Sequence, residues 1–379
     1  MTELSRDELK KRYAARRAKV AAYLKEHGVG AAVFIDSEER REPALRYFTG
    51  HPSDAALIIF DDGASVLIPW DEILAKSQAS CGKLIPYARY RNNAVAAVQA
   101  NLNAASRIEN RRAELPPSTP YLQFLKFVDA VPGWDMKITE EGVHAYAVRL
   151  RAVKDEYEIA CLKEAARIGD LIIDRIEAEI GSIKTEIDVA LLIERECRAH
   201  GCERTGFDTL AAGPERSWAI HCFPNYTAGA WPGGGLSILD FGVVCNGYTS
   251  DTTLTVAKGP LSDGQEQLLA LVQKAADECL PLYRKGVPLR TAAEKADAVF
   301  AAAKRKMPHT LGHGIGLEVH EYPRVSAAMP ESAVFEAGMV VTLEPGLYDE
   351  ALGGCRLEND VLITEAGSEV ISHSRIIRI

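Results

Sequence analysis

The stretch LSILDFGVVCNGYTSDTTLTV, residues 236–256, decides how this chain is read, because it holds two carboxylates that a hairpin would bring together. The apolar runs 236–239 and 243–245 and the β-branched run 252–256 read as strand segments. Between the second and third stands Asn246-Gly247, the strongest short-range signal for a tight turn joining antiparallel strands. Folding about that turn pairs residues whose numbers sum to about 493, so Asp240 falls about two residues out of register with Asp251. Such an offset keeps both side chains on one face. Two buried carboxylates held that close repel unless a cation lies between them. Two exposed aspartates flanking a turn would need none, and the hairpin by itself leaves both readings open.

The rest of the C-terminal half bears on the choice. Residues 309–321 read HTLGHGIGLEVHE, three histidines and three glycines in thirteen residues with little amphipathic pattern. Glycines there let backbone and ligand approach closely. The strand-like run 340–343 ends at Glu344-Pro345-Gly346, which presents Glu344 at a strand end before a turn. The run RLENDVLI, residues 356–363, puts Glu358 on another strand with Leu357 and Val361 among its apolar neighbours. Asp240, Asp251, one of these three histidines, Glu344 and Glu358, each on or beside a short strand, make a ligand set for two divalent metals. Oxygen-rich and free of cysteine, it suits Mn²⁺, Co²⁺, Zn²⁺ or Fe²⁺ better than a thiolate site would.

On these residues the chain resembles the creatinase/aminopeptidase, or pita-bread, metallopeptidases. The Asp-x-Gly opening, the Gly-Tyr-x-Ser-Asp closing, His-Gly-Ile-Gly-Leu-Glu-Val-His-Glu and Glu-Pro-Gly-Leu-Tyr all stand here in the family's order. The resemblance implies that Asp240, Asp251, His313, Glu344 and Glu358 bind two divalent ions, Mn²⁺, Co²⁺ or Zn²⁺. It implies an α+β fold, with a small creatinase-like α/β domain at 1–140 and a pita-bread catalytic domain at 141–379. Arg46-Tyr47-Phe48-Thr49-Gly50 resembles a segment found early in the Xaa-Pro dipeptidase (prolidase) and aminopeptidase P branches. Methionine aminopeptidases lack such an N-terminal domain, which points to the proline-peptidase branches, although creatinase-like enzymes share it.

Length and composition agree with that outline. At 379 residues the chain is longer than one ordinary core supports. Apolar residues are 47% and charged ones 26%, and the net charge is -9. Without a basic stripe that acidity argues against nucleic acid or an anionic membrane surface as partner. The cations Lys10, Lys11, Arg12, Arg16, Arg17 and Lys19 are interleaved with alanine and read as the solvated face of a first helix. The eight cysteines are scattered, with no Cys-x-x-Cys pair, and read as free thiols in a reducing cytoplasm. Neither a signal core nor an apolar run of ~18 residues is found, so neither export nor membrane spanning is expected.

In order, residues 7–27 have a helical pattern, and 28–36, 55–60 and 65–69 read as strands. A domain boundary is expected between 132 and 149. A long amphipathic helix then runs to about 180 and a second one covers 185–200. Two more are expected at 274–285 and 290–306, separated by Gly286-Val287-Pro288.

His221 lies in a mostly apolar run, where a histidine is usually a satisfied core residue. The resemblance instead sets it beside the substrate, with His309 lining the pocket and His320 assisting the tetrahedral intermediate. It also implies a metal-bridging hydroxide as nucleophile, with Glu344 taking the water's proton and passing it to the leaving nitrogen. Arg324 either faces a dipeptide's free carboxylate or is an exposed loop cation, and Arg356 matches a family arginine near the substrate. Leu254 departs from the family pattern Asp-x-Thr-Arg-Thr, in which arginine stands at this position.

The substrate expected from the resemblance is a small Xaa-Pro peptide, dipeptides foremost, and the assembly a homodimer. Hydrolysis of longer Xaa-Pro peptides and a non-peptidase hydrolase or lyase for a small zwitterion are the alternatives. A non-catalytic binding protein is disfavoured by the intact ligand set.

Overall fold

The structure, a computed structural model, describes residues 5–379. The chain divides into two compact units, the first ending at Arg151 and the second running Ala152–Ile379. The division falls later than the expected boundary at 140, because the helix Val143–Ala152 opens against the first unit. Its Val143 N–H donates to Glu114 Oε2 at 2.8 Å, and the buried His144 ring packs 4.7 Å from that of Phe34.

The first unit is built on a six-stranded sheet. Its order is Lys83–Leu84, Ser65–Pro69, Ala55–Phe60, Ala31–Asp36, Arg112–Glu114, Asp135–Lys137. Ala31–Asp36 and Ala55–Phe60 are buried at every position, as strands covered on both faces must be. The first helix, Arg6–Glu26, starts at a Ser5/Glu8 capping box. Its basic positions are not all solvated: Arg16 and Arg17 are buried. Arg16 donates to Tyr47 O at 2.9 Å and lies over the Tyr47 ring, and Arg17 donates to Phe48 O and Ser80 O. They satisfy the carbonyls of Tyr47 and Phe48 at the end of the helix Pro43–Thr49, and that of Ser80, which the charge pattern does not reveal.

In the second unit a four-stranded sheet carries the deciding hairpin, and a five-stranded sheet carries the histidine and glutamate segments. Gly235–Phe241 pairs with Thr252–Lys258, and Val243–Cys245 pairs with Tyr248–Thr249, all in the register whose numbers sum to 493. Asn246 (φ 52°) and Gly247 (φ 88°) both take positive φ, as a two-residue turn of this hand requires. The ladder breaks at Gly242, where a Cβ would meet Ser250 O at 2.0 Å. That close approach splits the hairpin and leaves Asp251 between the two ladders instead of within a strand.

The helices Glu156–Glu179 and Glu186–Ala199 cover one side of this unit, each opened by a capping box. The helix expected at 274–285 is Asp263–Cys279. Ser262 and Gln265 form its capping box, and Pro281 cannot donate to a continuing turn. The next helix, Leu289–Ala302, stops four residues before the expected end, and Lys304 has φ 57°. Leu254, at the position that departs from the family pattern, is fully buried in the apolar core with Leu239, Val256 and Ile193. No described helix is long and apolar enough to cross a membrane.

Candidate metal centre

Strand ends of the second unit converge on one acidic pocket. Asp240 stands near the end of Gly235–Phe241, opposite Thr253. Thr253 is also bridged to Glu358, whose backbone N–H donates to Thr253 O at 3.0 Å. Thr253 therefore sits between two of the acids, and its hydroxyl donates to Glu358 Oε2 at 2.6 Å. Glu358 is not inside a strand, as expected, but between Gly353–Arg356 and Asn359–Ile363.

His313 is the middle residue of the short strand Gly312–Gly314. A Cβ on Gly312 would meet Thr342 O at 2.0 Å, so only glycine lets this strand lie against Val340–Leu343. Glu344 follows that neighbour directly. His313 Nε2 lies 3.5 Å from Glu344 Oε1 and 3.6 Å from Asp251 Oδ2. Its Nδ1 is 3.1 Å from Gly314 O, an acceptor, which puts the ring proton on Nδ1 and turns the Nε2 lone pair to the acids. Asp251, His313 and Glu358 each offer a ligand atom within 4.8 Å of the others.

Charge in this pocket is out of balance. Asp240, Asp251, Glu358 and Asp360 are buried, and Glu344 is nearly so. The cation that meets them is Arg356, whose Nη2 donates to Asp240 Oδ2 at 2.5 Å. Burial, then repulsion from Glu358 and Asp240, pushes the Asp251 carboxyl well above the usual carboxylate range. Burial, then Glu358, does the same to Glu344. Glu358 is pushed up to about 7 by burial and Asp240. His313 is held down to about 4 by burial and by His320, so it is neutral and available as a donor. Asp240 Oδ1 and Asp360 Oδ1 are buried with no hydrogen-bond partner among the described residues. Buried oxygens without donors beside a neutral imidazole fit divalent cations, which would supply the missing positive charge.

Arg356, expected near substrate, is only 2% exposed. Besides Asp240 it donates to Thr253 Oγ1 at 2.9 Å, Tyr348 Oη at 2.8 Å and Ile220 O at 3.2 Å. Four of its five donors thus go to protein groups, and it orients Asp240. Tyr348 Oη in turn lies 3.1 Å from His309 Nε2.

The other expected substrate residues surround this pocket. His309 Nδ1 is 3.8 Å from Glu344 Oε2, and burial, then Arg356 and His221, lowers its pKa to about 4. The His313 and His320 rings are 4.3 Å apart, and His320 is exposed at the rim. Its pKa is lowered by burial, then by His221. His221 stands on an exposed loop and not in a core, and its charge would repel that of both His309 and His320. Arg324 is exposed and pairs with His313 across the ladder.

Three residues escaped the sequence reading. Asp360 accepts the backbone N–H of Asp251 at 3.2 Å. Its signal was present, since a carboxylate two residues after Glu358 shares that residue's face of an extended chain. Tyr348 stands in the Glu-Pro-Gly-Leu-Tyr motif but no role was read for it, and Thr253 had no signal for its bond to Glu358, 105 residues away in sequence.

Comparison with known proteins gives this pocket a context. Residues 160–365 match metallopeptidase family M24, a span of more than half of the chain within which all five expected ligand positions fall. An uncharacterized peptidase of Staphylococcus haemolyticus is 36% identical over 59% of this chain and 63% of its own length. The Xaa-Pro dipeptidase of Pyrococcus furiosus is 33% identical over 58% of this chain. The chain thus spans less than two thirds, 63%, of each of these two curated relatives.

Among solved structures, the prolidase from Pyrococcus horikoshii superposes with a TM-score of 0.83 at 24% identity, covering 96% of this chain and 99% of that one. The X-Pro aminopeptidase from Thermotoga maritima gives 0.80 at 24% identity over 94% and 99%. These likenesses show the fold, the α+β pita-bread architecture that the motifs led us to expect. With the match spanning the hairpin, the histidine segment and both glutamate turns, this chain belongs to metallopeptidase family M24.

Proposed function

We propose that the chain hydrolyses Xaa-Pro peptide bonds, dipeptides foremost. The observation that carries this reading is the buried set of carboxylates and one neutral histidine, met among the described residues by the Arg356 guanidinium, in a family of metallopeptidases with relatives named Xaa-Pro dipeptidase. Asp240, Asp251, His313, Glu344 and Glu358 would hold two divalent ions, Mn²⁺, Co²⁺ or Zn²⁺. Such ions lower the pKa of a water from ~15.7 toward neutrality and polarise a scissile carbonyl.

The chain's own residues do the rest. Glu344, at the pocket's edge, takes the proton of the attacking water and passes it to the leaving nitrogen. His221 and His320 donate hydrogen bonds to the developing oxyanion, each worth ~10²–10³ in rate. His309 lines the substrate pocket, its ring held by Tyr348. Arg324 pairs with the free carboxylate of a dipeptide, which its exposure at the rim permits. Arg356 fixes Asp240 beside the substrate pocket. Eight free cysteines fit a reducing compartment such as the cytoplasm.

The test is hydrolysis of an Xaa-Pro dipeptide beside an Xaa-Pro-Xaa tripeptide after loading Mn²⁺, Co²⁺ and Zn²⁺ one at a time. Cleavage of the dipeptide alone, lost in Arg324→Ala, is the expected result. Cleavage of the tripeptide as well makes the site aminopeptidase P-like. A metal-loaded protein that cuts neither sinks the peptidase reading.

A further inference from the structure

We infer that Glu186 is the positioning residue for His221, acting through the loop that carries it; this rests on the role given to His221 above. Glu186 is the first residue of the helix Glu186–Ala199 and is 1% exposed. Buried carboxylates are kept where donors satisfy them, and here the donors all come from residues 213–227. Gly213 N–H donates to Oε1 at 2.7 Å on the ingoing leg of the loop. Thr227 N–H at 2.7 Å and Thr227 Oγ1 at 2.6 Å donate to Oε2 on the outgoing leg. Between them Arg216 Nη1 donates to Oε2 at 2.6 Å, and the other arm of the same guanidinium reaches Pro224 O. One side chain thus ties both legs of the loop and, through Arg216, the segment just past His221.

The helix start adds to this grip. The first N–H groups of a helix have no partner within it. Here Glu186 N–H donates to Gly229 O at 3.0 Å and Ile187 N–H to Thr227 O at 3.1 Å. The positive end of the helix dipole favours a carboxylate at this place. Gly213 cannot be replaced without opening the neck, since a Cβ there would meet Ala230 O at 2.2 Å.

Beyond the neck the loop is held by Ser217, whose hydroxyl donates to Leu236 O at 2.7 Å, and by Arg356 on Ile220 O. His221 and Phe223 themselves are exposed, Phe223 at 92%. His221 therefore owes its place to the anchoring of the loop and not to packing of its own ring. Glu186 touches no metal ligand and no expected substrate group, so its effect on the reaction must pass through the loop.

The test uses the full-length, metal-loaded enzyme and the variants Glu186→Gln, His221→Ala and the double variant. Glu186→Gln keeps the side chain's size but removes the charge that holds Arg216. Amide hydrogen exchange is expected to speed up about tenfold or more in residues 213–228, with exchange in the strands of the metal pocket unchanged. The kcat is expected to fall about 10- to 100-fold with KM changed less, and the double variant should be no slower than His221→Ala alone. Thr227→Ala, which removes one donor and leaves the charge, should give a smaller change of the same kind.

Unchanged loop exchange in Glu186→Gln, or losses that multiply in the double variant, would overturn the inference. So would exchange that rises throughout the second unit, since that marks a general loss of stability. If the wild-type enzyme cleaves no Xaa-Pro peptide, the peptidase reading fails while the exchange comparison still decides whether Glu186 anchors the loop.

Discussion

Two buried carboxylates, one in each unit, show what separates structure from chemistry here. Glu114 in the first unit is 2% exposed, and its oxygens are matched by Val143 N–H at 2.8 Å, Arg112 Nη2 at 2.7 Å and Thr139 Oγ1 at 3.0 Å. Asp251 in the second unit is as buried, but it faces Glu358, Asp240, Asp360 and Glu344, with His313 neutral beside it. Glu114 is a finished site. The Asp251 pocket is finished only by added positive charge. A buried charge with its donors in place holds chain together, whereas a cluster of like charges persists only if it binds something.

The strongest way to break the comparison is to delete a pocket carboxylate. Asp251→Ala or Glu358→Ala should remove bound metal and lower kcat/KM by at least about 10³-fold, more than loss of one oxyanion donor costs. Metal content by elemental analysis, read beside activity, checks it, and full metal retention would contradict the assignment. Next come His221→Ala and His320→Ala, each expected to cost ~10²–10³ in kcat with metal content unchanged. Equal losses of metal and rate in either would place that histidine among the ligands instead.

Acid and base separate the two regions further. The Glu358 carboxyl is raised to about 7 and those of Asp251 and Glu344 are raised well above their ordinary range. Groups with folded values above the unfolded ones stabilise the fold below the unfolded value, near 4, and lose that contribution as pH rises through the folded one. The metal-free protein should therefore melt lower at pH 8 than at pH 5, by roughly 5 °C. Metal loading should reverse the trend and release protons on binding. A melting temperature that rises with pH without metal would reject this ordering. The smallest effect belongs to the first unit: Glu114→Gln should lower stability by ~1–3 kcal/mol and leave kcat/KM unchanged at saturating metal. A loss of activity matching that of the pocket variants would erase the distinction.

Much of the pocket was legible because its candidate ligands lie on short local patterns. Asn246-Gly247 requires positive φ at two positions, which sets the hairpin register and with it the approach of Asp240 to Asp251. The run of alternate glycines around His313 marks a strand that must lie close to its neighbour, as Gly312 does on Thr342. The helix at 263–279 was misplaced because its start rests on the Ser262/Gln265 pair and its apolar face is diluted by Gly264 and Asp263. The sequence presents Arg16 and Arg17 as a solvated face because their acceptors, carbonyls at 47, 48 and 80, are distant along the chain.

The sequence alone determined the register of the central hairpin, through turn chemistry and strand periodicity that act over a few residues, and its family motifs picked out the five candidate ligands. Only the tertiary structure decided which charges are satisfied. Arg356 could have faced a substrate, but folding joins it to Asp240, 116 residues earlier, and to Ile220 O, 136 residues earlier. Asp360 and Glu186 are likewise ordinary acids in the sequence until their surroundings exclude water. Desolvation and pairing depend on groups that only the folded chain brings together, and no local pattern encodes them.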